Sequence, residues 1–179
     1  MKFRIQSAII AMSAVMSLAG CSTLADHPSD RVASATLSSS AGVPMGTAQV
    51  LVQGDRVTLA VALTGVPAGT HGIHLHAVGK CSPADFSGAG GHLNPLGRAH
   101  GSANPAGSHV GDLSNITIQS GGSGSLVADL PGTRSQIEDW LFDSDGTAIV
   151  LHAAADDYRT DPSGNSGGRI ACGVLNKVG

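Results

Sequence analysis

The sequence predicts an all-β fold, an antiparallel β-sandwich or barrel that carries two long loops. Three observations point there. Glycine supplies 25 of the 179 residues while aromatic residues make up 3%, a composition that suits short strands and many turns better than long helices. Thr47 to Gln53 and Arg56 to Leu63 are both rich in Thr, Val and Leu, with only Gly54-Asp55 between them. Two turn-forming residues between β-rich runs signal a tight hairpin. Gly79 to Gly111 and Ala153 to Gly168, by contrast, are dominated by Gly, Ser, Pro, Asn and Asp, with no usable hydrophobic period. Loops of that length in a compact domain are usually functional or disordered.

Taken from the N-terminus, residues 1–20 read as a signal peptide. Lys2 and Arg4 make a basic start, Ile9 through Leu18 is apolar and free of charge, and small residues follow. The apolar run is too short for a comfortable membrane span. Leu18-Ala19-Gly20-Cys21 resembles the lipobox of bacterial lipoproteins, which implies a lipid on Cys21. Residues 21–30 are then a polar tether, with His27 as a solvated part of it. The domain occupies 31–179, with ordered structure from about Arg31. Assigning Cys21 to the anchor leaves Cys81 and Cys172, an even number in an exported chain, so one disulfide is expected. A loop of that size would stabilise the fold by about 4–5 kcal/mol on chain-entropy grounds.

Beyond the hairpin, strand candidates are Gly72 to His76, Ser114 to Gln119, Gly124 to Leu130, Thr147 to His152 and Arg169 to Val174. Ser135 to Leu141 is the one segment that could form a helical turn, and no helix is assigned to it. Charged residues make up 13% and the net charge is −3, so nothing suggests a nucleic-acid partner, for which a basic face would be the minimum requirement. Asn115-Ile116-Thr117 fits a glycosylation sequon by pattern, but a bacterial leader makes Asn115 a plain strand residue. Trp140 is expected to pack at one end of the sandwich.

The eight histidines carry the chemistry. His74 and His76 alternate on one strand and so project from one face, where they can converge on a metal. His92, His100, His109-Val110-Gly111-Asp112 and His152 follow. Imidazole suits copper and zinc, and a mixed imidazole–carboxylate set is normal for zinc. The absence of a thiolate-rich cluster argues against an iron–sulfur centre.

Gly69-Thr-His-Gly-Ile-His-Leu-His76, Gly91-His-Leu-Asn-Pro-Leu96, His109-Val-Gly-Asp-Leu113 and Gly164-Asn-Ser-Gly-Gly-Arg-Ile-Ala-Cys-Gly173 resemble the Cu,Zn superoxide dismutase family, in the family's order and over about residues 31–177. The resemblance implies a Greek-key β-sandwich or barrel and an oxidoreductase that disproportionates superoxide with copper and zinc as cofactors. It implies that His74, His76 and His152 bind copper alone and that His92 bridges the two metals. His100, His109 and Asp112 would complete the zinc site. It also implies that Asp156 links His74 to His100 and that His71 supports the site from behind. Arg169 would attract the anionic substrate, His92 would take up and return a proton during turnover, and Cys81 would pair with Cys172.

One departure from the family stands out. The segment from Asp157 to Asn165 is shorter than in the eukaryotic enzymes, and Pro162 stands where a lysine would help steering. Lys80 and Arg98 could substitute, or simply be exposed charges. Two other readings of the histidines are a copper/zinc-binding envelope lipoprotein that stores or delivers copper, and a zinc hydrolase. The complete zinc set and Arg169 argue against the carrier, and Ala77-Val78 after His76 argues against the hydrolase. The expected location is the cell envelope facing the periplasm, with Ser22 leaning toward the outer membrane. The sequence leaves open whether the protein is a monomer or a homodimer.

Overall fold

The computed structural model describes residues 29–178; the leader, Cys21 and His27 lie outside them. Ten strands form among the described residues: β1 (Asp30–Ser38), β2 (Pro44–Gln53), β3 (Arg56–Leu63), β4 (Gly69–His71), β5 (Ile73–His76), β6 (Ile116–Ile118), β7 (Gly124–Asp129), β8 (Ala148–His152), β9 (Arg169–Val174) and β10 (Asn176–Lys177). The main sheet runs β5-β8-β9-β1-β2-β3-β7, with β10 also paired to β1, while β4 and β6 form a separate ribbon. The pairings are antiparallel.

Period-two alternation builds the interior. On β3, Val57, Leu59, Val61 and Leu63 are buried and the residues between them are more exposed. Ala33, Ala35 and Leu37 of β1, Ala48, Val50 and Val52 of β2, Ile73 and Leu75 of β5, and Ile149 and Leu151 of β8 join them in one core. A single flat sheet could not bring these faces together, so the sheet curls on itself into a half-barrel. Each fully buried Leu or Ile contributes roughly 1.5–3 kcal/mol relative to exposure.

The β2–β3 hairpin turns at Gly54-Asp55 as expected, with Gln53 opposite Arg56. Three strands had no sequence candidate. β1 is written largely in Ala, Ser and Thr, whose apolar contrast is weak, and β4 and β10 have only three and two residues. The candidate Ser114 to Gln119 shortens to Ile116–Ile118, so Asn115 is not a strand residue. A helix also forms where none was assigned: α1 spans Arg134–Leu141. Thr133 caps it, accepting the Gln136 N–H while the Gln136 side chain accepts the Thr133 N–H. That reciprocal pair is readable as Thr-x-x-Gln, and Ile137 and Leu141 then bury one face. Trp140 is partly buried against the main core.

The two long segments are loops, apart from a single 3-10 turn at Ser87–Ala89. They lie over the outer face of β5, β8 and β9. Ala148, Val150 and Cys172 turn away from the main core and meet Phe86, Ala89 and Cys81 of the first loop in a second small cluster. Cys81 and Cys172 are disulfide-bonded, with Cα atoms 5.6 Å apart. This outer face carries the histidines.

Candidate metal centre

Strand register places three of the histidines. His74 and His76 share the outer face of β5 and stand opposite Val150 and Ala148 of β8. His152, two residues beyond Val150, falls on that same face by alternation. Arg169 reaches it through an irregularity. The ladder shifts between Leu151 and His152, so that Leu151 pairs with Ala171 but His152 pairs with Arg169. Ile170 and Ala171 both pack toward the main core. The extra residue resets the alternation and brings Arg169 out beside His152, a common use of bulges near functional sites.

The loop-borne residues are bolted to β5. Leu75 donates its N–H to Gly111 O, and Leu93 donates to Leu75 O. Isolated bridges set His76 beside His92 and His74 beside Asp112. Gly111 permits this approach, since a Cβ there would lie 2.3 Å from Leu75 O.

Two groups of potential metal ligands result. His74, His76, His92 and His152 form the first, and His92, His100, His109 and Asp112 form the second; within each, the ligand atoms lie within 4.8 Å of one another. His92 belongs to both.

In the first group each ring has one engaged nitrogen. His74 Nε2 lies 2.7 Å from Asp156 Oδ2, His76 Nδ1 is 2.9 Å from Gly90 O, and His152 Nδ1 is 3.2 Å from Gly167 O. Carbonyl and carboxylate oxygens only accept, so those nitrogens carry the hydrogen. The opposite nitrogens present lone pairs to a common point. His74 Nδ1 and the Nε2 atoms of His76, His92 and His152 are buried and have no hydrogen-bond partner. Burying such groups without a partner is costly, and a cation ligated by all four would remove that cost. Burial pushes His76 down to about 2, His92 to about 4 and His152 to about 3. These three rings are therefore neutral near pH 7, the form that binds metal.

In the second group one carboxylate oxygen is the focus. Asp112 Oδ1 lies 2.9, 3.0 and 3.1 Å from Nδ1 of His92, His100 and His109. A tetrahedral zinc site with bonds of ~2.0–2.1 Å has ligand-to-ligand edges of about 3.3 Å, so these spacings fit such a site after slight expansion. Asp112 Oδ2 meanwhile accepts the N–H groups of Gly101 and His109, which fixes the carboxylate's orientation. Burial opposes ionisation of Asp112, but the His92 ring and the Gly101 N–H outweigh it and hold the carboxyl well below its usual range.

Asp156 joins the two groups. One oxygen meets His74 and the other lies 3.0 Å from His100 Nε2. His71 belongs to neither group. Its Nδ1 is 2.8 Å from His152 O and its Nε2 is 3.1 Å from Pro67 O, so it supports the His152 backbone from behind.

A cleft of about 370 Å³ opens onto the first group, lined by His76, His92, His109, His152, Arg169, Asn94, Gly91, Pro162, Ser163 and Gly167. The Arg169 guanidinium is held by Phe86 O and Gly90 O, each at 2.6 Å. Lys80 and Arg98 do not line this cleft. A larger groove of about 640 Å³, beside β3, β6 and β7, has no ionisable side chain in its lining. Sequence reasoning missed what organises the second loop. The exposed Asp157 carboxylate accepts from Thr160 Oγ1, from the N–H groups of Thr160 and Arg159, and from Asn165 Nδ2; the Thr160 hydroxyl leads in holding it at about 2. It also missed Asp161, whose side chain accepts the His100 N–H. The Asp-x-x-Thr spacing was the available signal for the first; nothing local marked the second.

The fold and the paired groups of potential ligands fit the copper/zinc superoxide dismutase family. The family's sequence profile, described as copper/zinc superoxide dismutase (SODC), matches residues 45–175. "Superoxide dismutase [Cu-Zn] 2" of Aquifex aeolicus is 37% identical over 154 residues, covering 84% of this chain and 90% of the relative. "Superoxide dismutase [Cu-Zn]" of Deinococcus radiodurans is 33% identical over 188 residues, with 98% and 99% covered. Among solved structures, a SOD-like protein from Bacillus subtilis superposes with a TM-score of 0.75 at 33% identity, over 83% of this chain and 100% of that one. The chain belongs to the copper/zinc superoxide dismutase family. Membership makes it an oxidoreductase with copper and zinc as cofactors and superoxide as substrate.

Proposed function

We propose that this chain disproportionates two superoxide anions to dioxygen and hydrogen peroxide in the bacterial cell envelope, with copper held by His74, His76, His92 and His152. Zinc takes His92, His100, His109 and Asp112. The observation that carries this reading is the convergence of four partnerless ring nitrogens beside Arg169, with one of those rings shared by the second group.

Bound there, copper supplies a one-electron redox couple and zinc a fixed positive charge without redox chemistry. The chain's own residues do the rest. Arg169, clamped by two carbonyls, stays cationic and can hydrogen-bond the small anion while fixing its orientation. His92 lines the cleft, with Nε2 buried and partnerless and Nδ1 facing Asp112, so the ring can hold a proton at Nε2 and pass it to reduced substrate. Asp156 holds His74 and His100 in the tautomers that present Nδ1. The first loop narrows access, and the Cys81–Cys172 disulfide fastens it to β9.

Residues 1–20 act as the leader, Cys21 carries the lipid, residues 21–30 form the tether and 31–179 the catalytic domain at the periplasmic side, with the outer membrane favoured by Ser22. No helix among the described residues is long and apolar enough to cross a membrane. The copper-carrier alternative is not favoured by the relatives, which are named as dismutases. Metal analysis of protein isolated from envelopes tests the site: the reading expects copper and zinc in equal amounts, and a zinc-only protein would contradict it. Palmitate labelling of the full chain, abolished by Cys21→Ser, tests the anchor; label persisting in the variant would overturn it.

A further inference from the structure

We infer that Asn115 is a positioning residue that clamps the backbone of Asp156 from both sides and thereby orients His74 and His100 together. The inference rests on the reading of those two histidines as copper and zinc ligands.

Asn115 sits between the end of the first ligand loop and β6. Its side chain is turned toward the second loop: Asn115 Oδ1 accepts the Asp156 N–H at 2.8 Å, and Asn115 Nδ2 donates to Asp156 O at 2.9 Å. An amide is the side chain that offers one donor and one acceptor side by side, so it can satisfy both peptide groups of a single residue. The Asn115 N–H donates to the hydroxyl of Tyr158 at 2.8 Å, and the Tyr158 N–H returns to Asp156 Oδ1 at 2.6 Å. Asp156 is thus held at its N–H, its carbonyl and one carboxylate oxygen by two residues 43 positions apart.

Gly164 packs closely against one side of the carboxylate. A Cβ on Gly164 would stand 1.8 Å from Asp156 Oδ1 and 2.7 Å from His100 Nε2, and Gly164 has φ +64°. With the backbone clamped by Asn115 and that side open only to glycine, the carboxylate can reach His74 and His100 at once. Loss of the clamp would let Asp156 swing and release the tautomer of both rings.

The test is a double-mutant cycle on the full chain, read as zinc retention against a competing chelator. Changes to groups behind metal ligands typically weaken metal binding by roughly 10–100-fold. Asn115→Ala is expected to lower zinc affinity about tenfold and to alter the absorption spectrum of the cobalt-substituted protein. In an Asp156→Ala background it should add less than about twofold, because its effect runs through Asp156. Fully multiplicative losses, or a single variant within twofold of wild type, would overturn the inference. Should Asn115→Ala not fold, Asn115→Asp decides: it keeps the acceptor for the Asp156 N–H and loses the donor, so zinc affinity should still fall, and an unchanged value would overturn the inference. His109→Ala separates the two levels: if it leaves zinc affinity intact, the ligand assignment is what has failed.

Discussion

The strand-borne and loop-borne histidines reach the same centre by different physical routes. His74, His76 and His152 stand on β5 and β8, where the ladder and side-chain alternation fix their positions. His92, His100, His109 and Asp112 stand on a loop with no strand ladder of its own. They depend on two bridges to β5, on the Asp112 carboxylate and on Asp156. The first group ends in ring nitrogens without partners, whereas the second converges on one oxygen. A ladder can hold an unsatisfied site open, but a loop needs a charge at its centre to stay closed. The strand side should therefore keep its geometry without metal, and the loop side should be the more metal-dependent.

The largest effect that tests this contrast comes from His152→Ala. It removes a strand-borne ligand without touching the second group, so copper binding and activity should collapse while zinc is retained. Metal analysis and superoxide decay check it, and loss of zinc as well would mean the two groups are not separable. Next comes Asp156→Asn, which replaces an acceptor oxygen with a donor. Zinc affinity should fall by roughly 10–100-fold, measured by chelator competition, with a larger effect on zinc than on copper.

A smaller effect separates binding from steering. Arg169→Ala should leave both metals bound and slow catalysis at least about tenfold at low salt, with a flatter dependence on ionic strength. Pro162 and Ser163 face the cleft where a cation could have stood, so Arg169 has no cationic substitute in its lining. A rate and salt dependence equal to wild type would remove Arg169 from guidance.

The smallest is a pH effect on the metal-free protein. Burial depresses His76, His92 and His152 to about 2, 4 and 3, against about 6.5 when unfolded. The unfolded chain therefore binds more protons below pH 6.5, and stability should be full above that value and fall as pH drops from about 6.5 toward 4. Thermal melts of metal-free protein against pH check the sign, and His152→Ala should make the slope shallower.

Much of the candidate site was legible because its potential ligands fall in short runs. His-x-His on a strand and His-x-x-Asp in a loop each state a geometry in a few residues. The hairpin at Gly54-Asp55 and the strands Arg56–Leu63 and Arg169–Val174 were equally readable. The rest depended on distance. Asn115 looked like an incidental sequon because its partner lies 41 residues away. The β9 irregularity that turns Arg169 toward His152 leaves no mark in the sequence, since it is a matter of register between strands. β1 was hidden by its small residues: order was expected from about Arg31, but the weak apolar contrast gave no strand candidate there, although Ala33, Ala35 and Leu37 are buried. The helix was hidden by its brevity, although Thr133 and Gln136 announced its start.

The most direct test of the central claim is superoxide decay measured with chain loaded with both metals and with chain loaded with zinc alone. Superoxide should be consumed catalytically by the copper–zinc form and decay at the uncatalysed rate with the zinc form. A fully loaded copper–zinc protein that leaves the decay no faster than the zinc form would contradict the account.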